Sequence, residues 1–328
     1  MVDLLEGLPG FALLCLGALL ARFLSTLVGV HELLLAIALG FLLANGVGVP
    51  DRLQAGTETH TLWLAAGIVL LGASVTIDAI VEAGSVVLLL LFGTVTVTVL
   101  TAEALARNVA GLTGKFSSLL AAGAGICGVS AVVAVGGAIR ARETRIAYAA
   151  GVVLLVDAIT IVVYPAVGAV LDLPANVFGV WAGVSMLSTG PVVAVGFAHS
   201  EIAGQWATTT KLARNTLIGA VALGYAIYYT RREGDSSIPL EVLWVEFPKF
   251  VLGFLLFMGL ASAGLFSPSQ QATIGSAVEW LFLLAFVGLG TEIRLGDLRR
   301  TGVAPALVVF ATIALVSVLS LSVALVVL

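Results

Sequence analysis

Apolar runs of membrane-crossing length leave this chain almost no room for anything else. They fall at roughly 8–28, 33–48, 61–80, 84–105, 117–138, 146–171, 176–198, 207–229, 241–264, 275–291 and 302–327, joined by short connections. A helix needs about 20 apolar residues to cross the hydrocarbon core. The chain is 60% hydrophobic and 10% charged over 328 residues, whereas soluble domains average about 25% charged residues. The longest polar stretches, 49–60 and 230–239, are too small to fold alone. Strand-like alternation is weak and the runs are too long for barrel strands, so the expectation is an all-α polytopic membrane protein with about eleven apolar segments in one domain, 1–328.

The formal net charge of −4 says little about a nucleic-acid or acidic partner, because in a membrane protein the placement of charge matters more than its sum, and no nucleic-acid partner is expected. Cys15 and Cys127 lie far apart inside apolar runs, without metal-ligand or disulfide spacing. The only charges ahead of the first run are Asp3 and Glu6, so Leu8–Val28 is expected to stay as a membrane helix rather than act as a cleaved signal.

Loop charges give orientation. Arg107 and Lys115 precede the run at 117–138, and Arg140, Arg142 and Arg145 follow it; Arg231 with Arg232, and Arg294 with Arg299 and Arg300, form two more basic connections. The connections near 81–83, 172–175, 199–206 and 265–274 carry no Lys or Arg. The positive-inside rule puts the basic loops in the cytoplasm of a plasma-membrane protein. Strict alternation then fails around 117–138. Either that segment is re-entrant from the cytoplasm, with 176–198 re-entrant from outside to restore parity, or one loop departs from a statistical rule.

Those two segments are also alike. AGAGICGVSAVVAVGGA (122–138) aligns without gaps on AGVSMLSTGPVVAVGFA (182–198). A weaker pairing sets 70–84 against 287–302, anchored on Gly72/Gly290 and Gly84/Gly302, with opposite orientation in the topology above. Inverted repeats with broken helices at mid-membrane are a secondary-transporter design. Glycine in a helix interior costs about 1 kcal/mol relative to alanine, and it permits unwinding and close approach of backbone to a ligand. One break is expected at Gly125, Ile126, Cys127, Gly128, Val129 and Ser130. The other is expected at Ser185, Ser188, Thr189, Gly190 and Pro191, where proline disfavours an α conformation at Gly190. Gly125, Cys127, Gly128, Ser130, Ser185, Ser188, Thr189 and Gly190 then become candidate substrate-binding residues. The hydroxyls of Ser130, Ser188 and Thr189 could donate to an oxyanion, and the half-helix N-termini would favour one. Tight helix packing through small residues is the plainer alternative.

Ionisable residues deep in spans cost several kcal/mol and default to functional hypotheses. Asp157, in GVVLLVDAITIVVYP, could bind a proton or Na⁺ and couple it to transport, or pair structurally with Lys211 or Arg214. Lys211 and Arg214 share a helix face. They could attract an anion or neutralise Asp157, and Lys211 could instead snorkel to an interface. Glu279, Glu292, Asp78 and Glu103 sit at span ends and read as solvated. Trp63, Trp181, Trp206, Trp244 and Trp280 read as interfacial anchors. His31, His60 and His199 join no catalytic cluster, and no Walker loop, cofactor motif or metal motif occurs, so an enzyme is not expected.

GICGVSAVVA resembles the Ile-Cys-Gly signature of the YeiH-like (UPF0324-type) family of sulfate-exporter membrane proteins. The resemblance extends to Tyr164-Pro165, Lys211-Leu212-Ala213-Arg214 and Gly288-Leu289-Gly290-Thr291, and covers nearly the whole chain. It implies a transporter distantly like the cation:proton antiporter and anion transporter group, moving a small anion of the sulfate or sulfonate class with H⁺ or Na⁺ by alternating access. The lipid bilayer is the expected surrounding, no cofactor or metal is expected, and a homodimer is compatible with the resemblance. Many relatives carry His-Glu and a Gln where this chain has Leu187-Ser188 and Pro191, and a small residue where it has Asp157. An ion channel, or a membrane scaffold or enzyme, are the other readings.

Overall fold

The computed structural model describes residues 4–74, 77–233, 249–294, 296 and 303–328. Trp244, Arg299, Arg300, Gly302 and the start of the 241–264 run lie outside the described residues, as do the side chains of Asp78 and Arg232. Among the described residues all regular structure is helical. In chain order we number α1 Leu4–Val28, α2 Glu32–Gly46, α3 Asp51–Thr57, α4 His60–Leu71 and α5 Ile77–Ala104; then α6 Gly114–Ala122, α7 Val129–Ala138, α8 Glu143–Val170, α9 Ala175–Ser185 and α10 Thr189–His199; then α11 Glu201–Asn215, α12 Ile218–Glu233, α13 Phe250–Ser262, α14 Pro268–Glu292 and α15 Val303–Val327. Five of the described helical stretches are long and apolar enough to cross a membrane: Gly7–Val28, Val87–Val109, Glu143–Val170, Pro268–Glu292 and Val303–Val327. Glu32–Gly46, Val129–Ala138 and Phe250–Ser262 are apolar but shorter.

The chain divides into two compact units, a subdivision the sequence did not announce. The first comprises Met1–Ala83 and Lys249–Gly296, the second Gly84–Pro248 and Asp297–Leu328.

In the first unit, helices approach through missing side chains. A Cβ on Gly40 of α2 would collide with the carbonyl of Val287 on α14, and one on Gly290 of α14 would collide with the carbonyl of Ile37. Gly10 and Gly56 make the same backbone-to-backbone crossing between α1 and α3. Lipid tails are as apolar as leucine, so such close packing replaces the hydrophobic drive between membrane helices. The start of α14 is set by Ser267, whose Oγ accepts from the Gln270 N–H while its own N–H donates to Gln270 Oε1, with Pro268 in the first turn. At the rim Arg22 lies 3.8 Å from Glu32 and 3.6 Å from Glu279, over the ring of Trp280. His60, buried, meets Glu292 at 3.5 Å.

In the second unit, α6 to α10 enclose a core that includes Leu119, Leu120, Ile126, Val132, Val135, Val152, Val153, Val156, Val184 and Leu187, and α15 packs on α8 and α9. Trp181 is buried, stacks on Tyr164 at 4.2 Å between ring centres and donates from Nε1 to the Ser317 carbonyl at 2.9 Å. It is therefore no interfacial anchor. Glu103 is not simply solvated either. It accepts from Arg107 Nε and, at 2.6 Å, from Ser118 Oγ, while Arg107 Nη2 donates to Tyr229 at 3.1 Å. A π turn at Leu105–Val109 ends α5 and carries Arg107 to this cluster.

The glycine crossing makes a direct prediction. Gly290→Val should force α2 and α14 apart and cost about 1–3 kcal/mol or more, read as a lowered thermal midpoint of the purified protein. Gly275→Ala, in the same helix with open space around its Cα, should leave the midpoint unchanged or raise it slightly, since helix propensity adds at most about 1 kcal/mol of stability.

Candidate functional site

Two helix interruptions in the second unit build the site. α6 widens into a π turn at Gly123–Cys127 and stops at Gly128, whose φ of 60° and ψ of −130° only glycine adopts readily. α7 then starts at Val129 with Gly128 as its N-cap. α9 stops at Ser185, and extended backbone at Met186 and Ser188 leads to α10, whose N-cap is Ser188. The second interruption therefore lies ahead of Gly190 and Pro191, both of which are buried inside α10. Proline in the first turn of a helix is tolerated, since N–H groups there have no intrahelical partner, so Pro191 follows the break instead of forming it.

The interruptions touch. Gly128 and Ser188 hold the same place in the two matching sequence tracts, and a Cβ on Gly128 would occupy the position of Ser188 Oγ. Cys127 Sγ lies 3.5 Å from Thr189 Oγ1, which also accepts from Asn215 Nδ2 at 2.9 Å.

α11 closes this crossing with two cations. Lys211 Nζ donates to the carbonyls of Ile126 at 2.8 Å, Met186 at 3.0 Å and Leu187. Arg214 donates from Nε to Gly125 at 2.9 Å, from Nη1 to Met186 at 2.7 Å and from Nη2 to Ala124 at 2.7 Å. Both side chains are 0% exposed. Each thus binds the C-terminal carbonyls of both broken helices, where a helix leaves its last acceptors unpaired and carries partial negative charge. Lys211 does not snorkel. No ion pair joins either cation to Asp157 among the described residues.

Asp157, 2% exposed on α8, instead accepts from the N–H of Ser188 through Oδ1 at 3.1 Å. Its Oδ2 and the Ser188 hydroxyl are buried without a partner, as is Asn215 Oδ1. Ser185 accepts from Tyr164 Oη at 2.8 Å and donates to the Trp181 carbonyl, one turn before the break. Ser130, by contrast, is exposed in the first turn of α7.

The sequence-selected residues Gly125, Cys127, Gly128, Ser188, Thr189, Asp157, Lys211 and Arg214 are thus gathered at one crossing, with Ser185 and Gly190 flanking it. Sequence reasoning missed Asn215. It also missed the carbonyls of Ala124, Ile126, Met186 and Leu187, which no residue type advertises. A second polar residue one position past Arg214, on a helix whose buried face is polar, was the available signal for Asn215.

These features define a helical membrane protein whose buried polar centre is made of two interrupted helices bound by a basic helix. The family model described as Conserved hypothetical protein 698 matches residues 9–309, and the chain belongs to this family of UPF0324 membrane proteins. It is 33% identical over 317 residues to a UPF0324 membrane protein of Nitratidesulfovibrio vulgaris, covering 90% of this chain and 87% of that protein. It is 29% identical to the UPF0324 membrane protein TauZ of Paracoccus pantotrophus, covering 90% and 88%. Another Nitratidesulfovibrio vulgaris relative is 31% identical over 79% of this chain, which spans about half, 48%, of that longer protein. No solved structure matches the chain.

Removing Arg214 should be severe. Arg214→Ala strips the donor from the carbonyls of Ala124 and Gly125, and each buried unsatisfied acceptor costs about 1–3 kcal/mol. The thermal midpoint should fall steeply. Arg214→Lys keeps the charge but cannot span the same carbonyls, and should fall in between.

Proposed function

We propose that this protein is a secondary active transporter that exports a small anion of the sulfate or sulfonate class, coupled to H⁺ or Na⁺. The observation that carries this reading is the buried crossing of two interrupted helices around Asp157, whose Oδ2 and neighbouring Ser188 hydroxyl have no partner. Interrupted backbone at membrane depth is tolerated where it is buried and paired in protein or lines a water-filled cavity. Here Lys211 and Arg214 pair the carbonyls while Asp157 Oδ2 stays unpaired, which supports a solute-facing role for that side. The family's identity as membrane proteins supports a role in the bilayer.

In this reading the protein sits in the cell membrane with its basic loops in the cytoplasm. The tracts at 117–138 and 176–198 are re-entrant or broken spans of an inverted-repeat arrangement of about eleven segments. Gly125, Cys127, Gly128, Ser130, Ser185, Ser188, Thr189 and Gly190 surround the substrate. Asp157 takes the coupling ion. Lys211 and Arg214 act by holding the site together and setting its charge.

Flux in proteoliposomes tests the reading. The intact protein should accumulate sulfate or an alkylsulfonate against its gradient when a pH or Na⁺ gradient is imposed, with saturation and counterflow. Flux without saturation would make it a channel. Asp157→Asn should abolish the response to the imposed ion gradient. Unchanged pH and Na⁺ dependence in that variant would remove the coupling role.

A further inference from the structure

We infer that the coupling ion at Asp157 is a proton and not Na⁺, because carbonyls that a dehydrated Na⁺ would use at this crossing are held by the ammonium of Lys211 and the guanidinium of Arg214. This rests on the transporter reading above and narrows it to one ion.

Both ions bring one positive charge, so neutralising Asp157 does not separate them. Their ligand needs do. Na⁺ at membrane depth exchanges its water for a shell of oxygens, and transporters with interrupted helices supply that shell from unwound carbonyls and half-helix C-terminal ends. A proton needs one lone pair to bond and one further acceptor to face.

At this crossing the C-terminal ends are where the two cations bind. Lys211 Nζ holds the carbonyls of Ile126, Met186 and Leu187. Arg214 holds those of Ala124, Gly125 and Met186. Three contacts from Nζ use three N–H donors, which only the ammonium form has, and Arg214 is permanently charged. Two tethered cations thus stand on the oxygens that a coupling Na⁺ would use. Na⁺ would have to displace a charge-assisted bond, worth about 1.5–3 kcal/mol, or share a carbonyl with a like charge.

The side-chain oxygens left over suit a proton. Asp157 Oδ2, the Ser188 hydroxyl and Asn215 Oδ1 are buried without a partner. Thr189 Oγ1 already accepts from Asn215. Thr210 Oγ1 is unpartnered too, but its side chain packs on Gly183 inside α9. The Ser188 N–H binds Asp157 Oδ1 at 3.1 Å, and the Ser188 side chain also acts on that carboxyl. A hydroxyl both donates and accepts. By turning, it serves the ionised carboxylate as donor and the protonated carboxyl as acceptor, so each state has a partner. A proton from bulk water forms an O–H bond on Oδ2, and it is later returned to bulk water on the other side.

The charged groups acting on Asp157 are Lys211 and Arg214 of α11. Cys127 faces both cations and Tyr164 faces Arg214. On α8 itself Glu143, Arg145 and Tyr148 lie in the first two turns. The described helices packed on α8 add nothing titratable at that depth: α7 and α15 contain no such residue, α6 has only Lys115 in its first turn, and α10 has only His199 at its far end.

The test uses the full chain in proteoliposomes with the membrane potential clamped, sulfate or methanesulfonate as the carried anion and a trapped pH dye. In Na⁺-free buffer, a pH gradient of about one unit should support anion accumulation of up to about tenfold for each proton carried, and anion movement should change the internal pH. A Na⁺ gradient of about the same ratio, at equal pH, should support none. The thermal midpoint of the purified protein should be the same in NaCl and choline chloride. Asp157→Asn, with a midpoint near wild type, should lose the pH-driven accumulation; if it does not fold, the wild-type measurements decide. Accumulation driven by Na⁺ at equal pH, a saturable Na⁺-specific rise in midpoint, or pH-driven accumulation retained in Asp157→Asn overturns the inference. If saturable counterflow occurs but neither gradient drives it, proton coupling falls and the anion-carrier part of the reading stands. If neither anion shows counterflow, both fall.

Discussion

A helix that stops inside an apolar bundle leaves carbonyl oxygens that water cannot reach, and the second unit is organised around meeting that requirement. Five such carbonyls, from Ala124 to Ile126 and at Met186 and Leu187, are bound by two side chains of α11. This explains why an arginine and a lysine rank among the largest fully buried side chains of the chain. Burying an unpaired charge costs several kcal/mol, and so does orphaning several acceptors at about 1–3 kcal/mol each. Placed together, each removes the other's penalty. It also explains why α11 turns Thr208, Thr210, Lys211, Arg214 and Asn215 inward, reversing the usual sidedness of an amphipathic helix.

The two interruptions are related in sequence but unequal in chemistry. Gly128 must be glycine on two counts: its φ is positive, and Ser188 Oγ fills the space a Cβ would take. Its counterpart Ser188 has ordinary extended backbone and so can carry a side chain. The first break is prepared by a π turn, while the second is a plain gap of extended residues. Among the described residues, the acidic side chain bonded at the crossing, Asp157, meets the second interruption at Ser188. Both interruptions thus bond the two cations, and the carboxylate bond is to the second.

Much of this was legible because a polar residue inside an apolar run has few bland explanations. Asp157, Lys211, Arg214 and the two Gly/Ser tracts stood out for that reason, and they converge. What they bind was not legible. The acceptors are backbone groups of Ala124, Ile126, Met186 and Leu187, whose side chains give no hint of the role. Pro191 pointed a few residues past the true interruption, because a proline near a helix start is as acceptable as one after a helix end. Trp181 and Glu103 misled by position: both lie near span ends in the sequence, yet one is stacked in the core and the other is tied to Arg107 and Ser118. The division into two units was invisible because its first boundary, Ala83/Gly84, falls inside one continuous apolar helix, α5.

The cation bonds also decide which parts of the crossing can respond to a ligand. Lys211 links Ile126 on the first interruption to Met186 and Leu187 on the second, and Arg214 links Ala124 and Gly125 to Met186. Pulling the two interruptions apart would break several charge-assisted bonds, worth about 1.5–3 kcal/mol each. A ligand typically redistributes conformations through a differential affinity of about 1–3 kcal/mol. That is too little to open the crossing, so α11 and both interruptions are held together as one body. The buried polar atoms left outside this network include Asp157 Oδ2, the Ser188 hydroxyl and Asn215 Oδ1. Those atoms can change partners without dismantling the rest, because none of them bonds Lys211 or Arg214.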